Sequence, residues 1–110
     1  MLTWEEFEKV EMRVGTIIEV NDFPEARKPA YQLTIDFGTE IGILKSSAQI
    51  TKRYTKDELL NRQIVAVVNF PKKQIGKFMS ECLVLGSVGA DNDIVLLAPE
   101  TQVENGLRIG

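Results

Sequence analysis

One segment of the sequence alternates strictly between apolar and polar residues. This segment is YQLTIDF, residues 31–37. Its apolar positions are Tyr31, Leu33, Ile35 and Phe37, and its polar positions are Gln32, Thr34 and Asp36. Successive side chains of a β-strand point to opposite faces of a sheet, so the alternation predicts a strand with one buried face.

Other segments have the composition of short strands. In VGTIIEV, the residues Val14, Thr16, Ile18 and Val20 are expected to share one face. After the turn residue Gly38, the segment IGILK is the expected hairpin partner of YQLTIDF. The remaining predicted strands are RQIVAVVNF, CLVLGSV and DIVLLAP.

Two short helices are predicted from the spacing of a capping box. Thr3 and Glu6 have this spacing in TWEEFEKV, and Thr55 and Glu58 have it in TKDELL. In a capping box the two side chains bond backbone N–H groups that a helix start leaves unpaired. We therefore expect one helix before the first strand and one between the third and fourth strands.

The order of these elements decides the expected fold class. Strands that follow one another with a single intervening helix do not form alternating β-α-β units, which argues against a parallel sheet. We predict an all-β fold with short helices, an OB-type five-stranded β-barrel with an N-terminal helix and a C-terminal extension, forming one domain over residues 1–110. A β-sandwich is the alternative, because alternation does not say whether a sheet closes on itself.

The composition argues against enzymatic chemistry. The 110 residues include no histidine and one cysteine, Cys82, so the commonest general base and a thiolate metal cage are both missing. GADND, residues 89–93, lacks the residues that complete a calcium loop and is predicted to be a hairpin turn. We expect no enzyme activity, no metal and no cofactor, and a buried Cys82.

The expected location is the cytoplasm. The apolar runs are far shorter than the roughly 20 residues that a membrane-spanning helix needs. The N-terminal segment MLTWEEFEKVEMR is too acidic for a signal peptide.

A basic and apolar segment, NFPKKQIGKFMSE, is the candidate ligand site. Its lysines are Lys72, Lys73 and Lys77, and Phe70, Phe78 and Met79 lie among them. A solvated surface is one interpretation, and a groove that binds nucleic acid or polypeptide is the other. The net charge of −3 and the pI near 5.0 argue against strong nonspecific nucleic-acid binding.

The two ends of the chain carry apolar residues outside the predicted barrel. They are Trp4, Phe7 and Val10 at the N-terminus, and Val103, Leu107 and Ile109 at the C-terminus. These residues either pack on their own barrel or form a subunit interface, and pattern alone does not separate the two.

Three segments resemble a known family. DFPEARKPAYQLTIDFG, LKSSAQITKRY and NFPKKQIGKFMSECLVLG are similar to the CsaA secretion-related chaperones, within the wider tRNA-binding-domain superfamily, and FPEARKPAY is the most specific of these elements. The resemblance implies an OB-fold homodimer that uses its terminal extensions and binds unfolded or presecretory polypeptides without ATP. It also implies the protein-export machinery and tRNA as further partners.

The basic segment departs from the superfamily pattern at defined positions. Asn69, one of the lysines and Ser80 match it, whereas Met79 replaces a glutamate and Leu83 replaces a methionine. These changes make the rim less polar and favour polypeptide over RNA, because a flexible methionine adapts to varied apolar partners. The predicted ligand-binding residues are Arg27, Lys28, Tyr31, Lys45, Asn69, Phe70, Lys72, Lys73, Lys77, Phe78, Met79 and Ser80.

Overall fold

The computed structural model describes residues 1–110, with short helices between antiparallel strands. The elements are α1 (Trp4–Glu8), β1 (Met12–Asp22), β2 (Tyr31–Asp36), α2 (Gly38–Ile41), β3 (Ile43–Ala48), α3 (Lys56–Leu59), β4 (Gln63–Val67), β5 (Lys73–Ile75), β6 (Phe78–Ser80), β7 (Leu83–Val84), β8 (Gly86–Val88) and β9 (Ile94–Leu96). None of the helices has the length and apolar character that crossing a bilayer requires.

The main sheet has five antiparallel strands in the order β3-β2-β1-β4-β7. Its two outer strands, β3 and β7, approach each other, so the sheet curls into a nearly closed barrel. Two hairpins, β5–β6 and β8–β9, extend from the barrel. The architecture confirms the predicted OB-fold barrel, and the helix α3 lies between β3 and β4 as expected.

The alternating segment supplies the centre of the core. Leu33, Ile35 and Phe37 are fully buried, and Tyr31 is buried beside them. Both capping boxes are also present, at the starts of α1 and α3. These predictions are confirmed. They could be made from the sequence because strand alternation and capping boxes depend only on residues a few positions apart.

The prediction for β1 is wrong about which residues face the core. Ile17 is fully buried whereas Ile18 is 41% exposed. A β-bulge between Ile17 and Glu19 leaves Ile18 without a partner on β2 and shifts the alternation by one residue. Gly15 faces inward with Ile17, since an added Cβ would lie 2.7 Å from the Phe37 ring.

The C-terminal extension runs along β1. Gly106 donates its N–H to the Val14 carbonyl at 2.7 Å, and the Val14 N–H donates to the Leu107 carbonyl at 3.0 Å. Arg108 then reaches the α1 helix and donates to the Glu8 carbonyl at 2.8 Å. The backbone of the extension therefore packs on its own barrel, close to the N-terminal helix.

Replacing Gly15 with alanine should destabilise the barrel by about 1–3 kcal/mol, because the new methyl group would overpack the core against Ile35 and Phe37. Denaturant unfolding measures the loss. Gly110→Ala is the matched control, because no atom lies within 4 Å of the position that its new methyl group would take. Equal stability of both variants would contradict the close approach of β1 to Phe37.

Candidate functional site

The barrel closes at a seam between β3 and residues 80–82. Glu81 donates its N–H to the Lys45 carbonyl at 2.7 Å, and its carboxylate accepts the Lys45 N–H at 3.0 Å. The Ser80 hydroxyl accepts the Ser47 N–H at 3.1 Å. We call these four residues the barrel seam. Two of its hydrogen bonds are made to side chains, so the seam depends on the identities of Ser80 and Glu81.

A groove of about 410 Å³ lies beside the barrel seam. One wall is the end of β3 and the residues that follow it, 47–50, and the other wall comes from β7, β8 and β9. Its larger apolar side chains are Ile50, Ile75, Leu83, Val84, Val88 and Ile94. Lys73 is its one charged residue. The groove therefore offers an apolar surface without any acidic side chain.

A smaller hollow of about 280 Å³ continues from the groove. It is lined by Phe70 and Pro71, and it shares Lys73, Ser80 and Leu83 with the groove. Phe70 and Leu83 are both exposed. An extended ligand could therefore cross from one apolar region to the other past the Lys73 ammonium group.

The β5–β6 hairpin separates two residues that were predicted to act together. Ile75 pairs with Phe78, and Gln74 pairs with Met79. Paired residues share a face and successive residues alternate, so Phe78 and Met79 point to opposite faces of the hairpin. Phe78 packs on Phe23, with ring centroids 5.3 Å apart. These two predicted ligand-binding residues therefore do not act on one face, because Phe78 packs on Phe23 whereas Met79 remains exposed.

Most of the predicted basic residues carry unneutralised charge. They are Arg27, Lys28, Lys45, Lys73 and Lys77, all exposed and none in an ion pair. Arg27 and Lys28 lie in the loop after β1, the loop whose Phe23 packs on the β5–β6 hairpin. The chain is acidic overall, yet it presents positive charge near the barrel seam.

Two further cations are paired with carboxylates. Lys72 lies 3.3 Å from the Glu81 carboxylate, so an anionic ligand would share this lysine with the barrel seam. Arg53 donates to both oxygens of Asp93, at 2.9 and 2.7 Å. This contact holds the pKa of Asp93 below its usual value and ties the β8–β9 hairpin to the segment before α3.

Tyr31 and Asn69 depart from their predicted place on the ligand face. Tyr31 is buried, and its hydroxyl donates to the Tyr54 carbonyl at 2.7 Å. The Asn69 amide accepts the Glu11 N–H at 3.1 Å and donates to the Lys9 carbonyl at 2.7 Å. Tyr31 is therefore a core residue. Asn69 holds the linker between α1 and β1, and because backbone groups already bond its polar atoms, they are not free to bond a ligand.

Cys82 is buried at the groove, as expected. Burial raises the pKa of its thiol to about 12, and the neighbouring Glu81 charge contributes to the same rise. The thiolate is the reactive form of cysteine, so a thiol held neutral in this way acts as a small apolar residue.

The residues of the groove walls escaped the sequence prediction. Val88 and Ile94 pair on one hairpin, but Gln49 is about 40 residues earlier in the chain and meets them only in the folded barrel. One indication was present in the sequence, because Val88 stands directly before the polar GADND turn. Its side chain is 75% exposed, which is unusual for valine.

Comparisons with known proteins agree with this architecture. A family profile described as "Putative tRNA binding domain" matches residues 12–108. A solved structure of the chaperone CsaA from Bacillus anthracis str. Ames is 50% identical, with a TM-score of 0.94 over 100% of this chain and 99% of that chain. The CsaA chaperone protein from Picrophilus torridus is 55% identical, with a TM-score of 0.93 over 100% of both chains. The chain belongs to the putative tRNA-binding domains and, within them, to the CsaA chaperones.

More distant relatives include much longer proteins. The methionine–tRNA ligase of Thermococcus onnurineus (strain NA1) is 37% identical over 106 residues, which are 96% of this chain and 14% of the ligase. The chain thus spans a small part of these curated relatives, and their ligase activity does not carry over. The CsaA chaperones match along the whole of both chains, in agreement with the prediction that this protein is not an enzyme.

Replacing Ser80 with alanine should destabilise the fold by about 1–2 kcal/mol, because the Ser47 N–H loses its acceptor at the barrel seam. Thermal or denaturant unfolding measures this loss. Ser87→Ala is the matched control, since Ser87 is exposed and its hydroxyl makes only a 3.4 Å bond on the β8–β9 hairpin. If Ser80→Ala is no less stable than Ser87→Ala, side chains do not hold the seam.

Proposed function

We propose that this protein is an ATP-independent chaperone that binds unfolded or presecretory polypeptides, and that residues 1–110 act as one domain. The observation that carries the proposal is the groove beside the barrel seam, which combines apolar walls with one lysine and no acidic residue. The similarity to CsaA chaperones along the whole chain supports it. We place this activity in the cytoplasm, before clients reach the protein-export machinery.

The apolar walls account for affinity toward unfolded chains. An apolar side chain gains roughly 1.5–3 kcal/mol when it moves from water into an apolar site. Folded proteins bury most such side chains, whereas unfolded segments expose them. Val88, Leu83 and Phe70 are exposed in the groove and the adjoining hollow, so they are available to cover a client side chain.

The basic residues account for the choice among segments. Lys73 lies where the groove meets the smaller hollow, and Lys45 lies at the barrel seam. Positive charge without a partner attracts acidic segments and raises their rate of association, and salt weakens this attraction. We therefore propose that apolar contacts supply most of the affinity and that the lysines raise the rate at which acidic segments associate.

Binding of tRNA is the second candidate function. The family profile and the exposed cations favour it. RNA grooves usually add aromatic rings on which bases stack. Tyr31 is buried and Phe78 packs on Phe23, which leaves Phe70 as the exposed ring near the lysines. The structure thus offers an RNA fewer stacking surfaces than the sequence suggested, and polypeptide remains the first candidate.

Val88→Asp should weaken binding of an unfolded polypeptide by about tenfold or more, because it replaces an apolar wall with a charge that repels acidic segments. Val95→Asp is the matched control. Val95 lies on the same hairpin, but it pairs with Ser87 and does not line the groove. Fluorescence anisotropy with a labelled, permanently unfolded client measures both variants.

The same titrations, repeated with tRNA at low and moderate salt, separate the two candidate functions. The affinity for an RNA ligand should fall steeply as the salt concentration rises. Lys73→Gln should reduce the slope of log affinity against log salt by about one unit, the contribution of one phosphate contact. Polypeptide binding should fall much less with salt, because apolar contacts supply most of its affinity. Strong tRNA binding that Lys73→Gln weakens, together with no client binding by any variant, would overturn the chaperone proposal.

We further propose that the protein is a homodimer joined through its two ends. Trp4 is 83% exposed, and with Leu2 and Phe7 it lines a hollow of about 700 Å³ beside the C-terminal Gly110. Leu107 adds exposed apolar surface on the adjoining extension. Val10 is exposed as well, whereas Val103 and Ile109 are half-buried. An exposed apolar patch of this kind suits a self-complementary interface.

Trp4→Glu should convert the dimer to a monomer without unfolding it, because an exposed glutamate in the first turn of α1 is compatible with the helix but not with an apolar interface. Sedimentation velocity measures the change. Val95→Asp adds the same charge elsewhere and should remain dimeric. A Trp4→Glu protein that sediments as a dimer would exclude this interface.

A further inference from the structure

The outer edge of β3 leaves backbone groups without a strand partner beyond the barrel seam. The Ser47 N–H bonds the Ser80 hydroxyl, so the backbone polar groups of Ser47 face away from β2. The Ser47 carbonyl accepts a 3.2 Å bond from the adjacent Ser46 hydroxyl. Gln49 follows the end of β3, and neither its N–H nor its carbonyl bonds another backbone group.

These groups have the spacing that a neighbouring strand uses. Residues two apart on a β-strand present their backbone polar groups to the same edge, so Gln49 continues the edge that contains Ser47. Residues 47–50 form one wall of the groove. A strand paired with this edge, about 4.8 Å away, would therefore lie inside the groove.

The opposite wall suits the side chains of such a strand. Val84, Val88 and Ile94 supply apolar surface across the groove, and Ile75 supplies it from the β5–β6 hairpin. Lys73 is the charged residue in the lining, and it has no ion pair. Charge complementarity therefore selects an extended segment that is mainly apolar and carries an acidic residue.

We propose that a client polypeptide binds in the groove as an added β-strand, paired through its backbone with the Ser47 carbonyl and with Gln49 at the β3 edge. This inference rests on the proposed chaperone function and names how that function recognises its ligand. Every polypeptide offers the same backbone donors and acceptors, so the edge binds segments of many sequences. The apolar wall and Lys73 then determine which segments bind best.

A second copy of the chain and an RNA fit this edge less well. The free edge is short and recessed between the β5–β6 and β8–β9 hairpins, and a short or covered edge disfavours pairing between folded proteins. RNA lacks the repeating N–H and carbonyl groups of a strand. An unfolded segment has those groups and is thin enough to enter.

Backbone methylation of the ligand tests strand addition without altering the protein. The probe is a short unstructured peptide that alternates valine and serine and has one central glutamate. A series of peptides then carries a single N-methyl group at each successive position, which removes one N–H and leaves every side chain in place. We expect affinity to fall about tenfold at every second position of the bound segment and little at the positions between. Calorimetry measures each peptide.

Amide hydrogen exchange of the protein supplies the second measurement. Saturation with the unmethylated peptide should slow exchange at Gln49 about tenfold or more, because its N–H gains a partner. The amide of Gln102, an exposed residue of the C-terminal extension outside the groove, is the internal control and should be unchanged.

The outcomes separate strand addition from the broader proposal. A peptide that binds with uniform sensitivity to methylation, and without protection of Gln49, overturns strand addition while polypeptide binding stands. A peptide and an unfolded client that both fail to bind overturn both. Protection of Gln49 by tRNA, or by raising the protein concentration alone, would assign the edge to RNA or to a second copy instead.

Discussion

The side chains of Ser80 and Glu81 hold the outer edge of β3 across the barrel seam. Glu81 bonds Lys45 through both its backbone N–H and its carboxylate, and Ser80 accepts the next outward N–H of the strand, from Ser47. A long backbone ladder would have brought the two walls together along their whole length. Because this seam is short, the walls diverge beyond Ser47, and the groove is the space between them.

The barrel seam also links closure of the fold to charge at the surface. Glu81 bonds β3 with one carboxylate oxygen and lies 3.3 Å from the Lys72 ammonium with the other. Lys72 is therefore partly neutralised, whereas Lys73 remains without an ion-pair partner at the groove. A chain with a net charge of −3 can thus present a local positive site, since screening limits exposed charges to short range.

Much of the fold follows from local sequence rules. Leu33 and Ile35 are buried as their alternation predicts, and Thr3 and Thr55 cap helices at the predicted positions. The β1 prediction failed because a bulge at Ile18 shifts the alternation, and nothing in the neighbouring residues indicates one. The candidate site was predicted in part: Lys73 does line the groove, while the walls around it come from segments that the sequence does not connect.

The sequence by itself therefore determined the strands, the capped helices and the family resemblance, because alternation, capping and motif spacing act over a few residues. Only the tertiary structure decided which side chains face a ligand. Tyr31 lies in the core, where its hydroxyl donates to the Tyr54 carbonyl. Phe78 packs on Phe23 and points to the opposite face of the hairpin from Met79. Those directions depend on partners distant in sequence and on where the barrel closes, and local patterns carry no information about either.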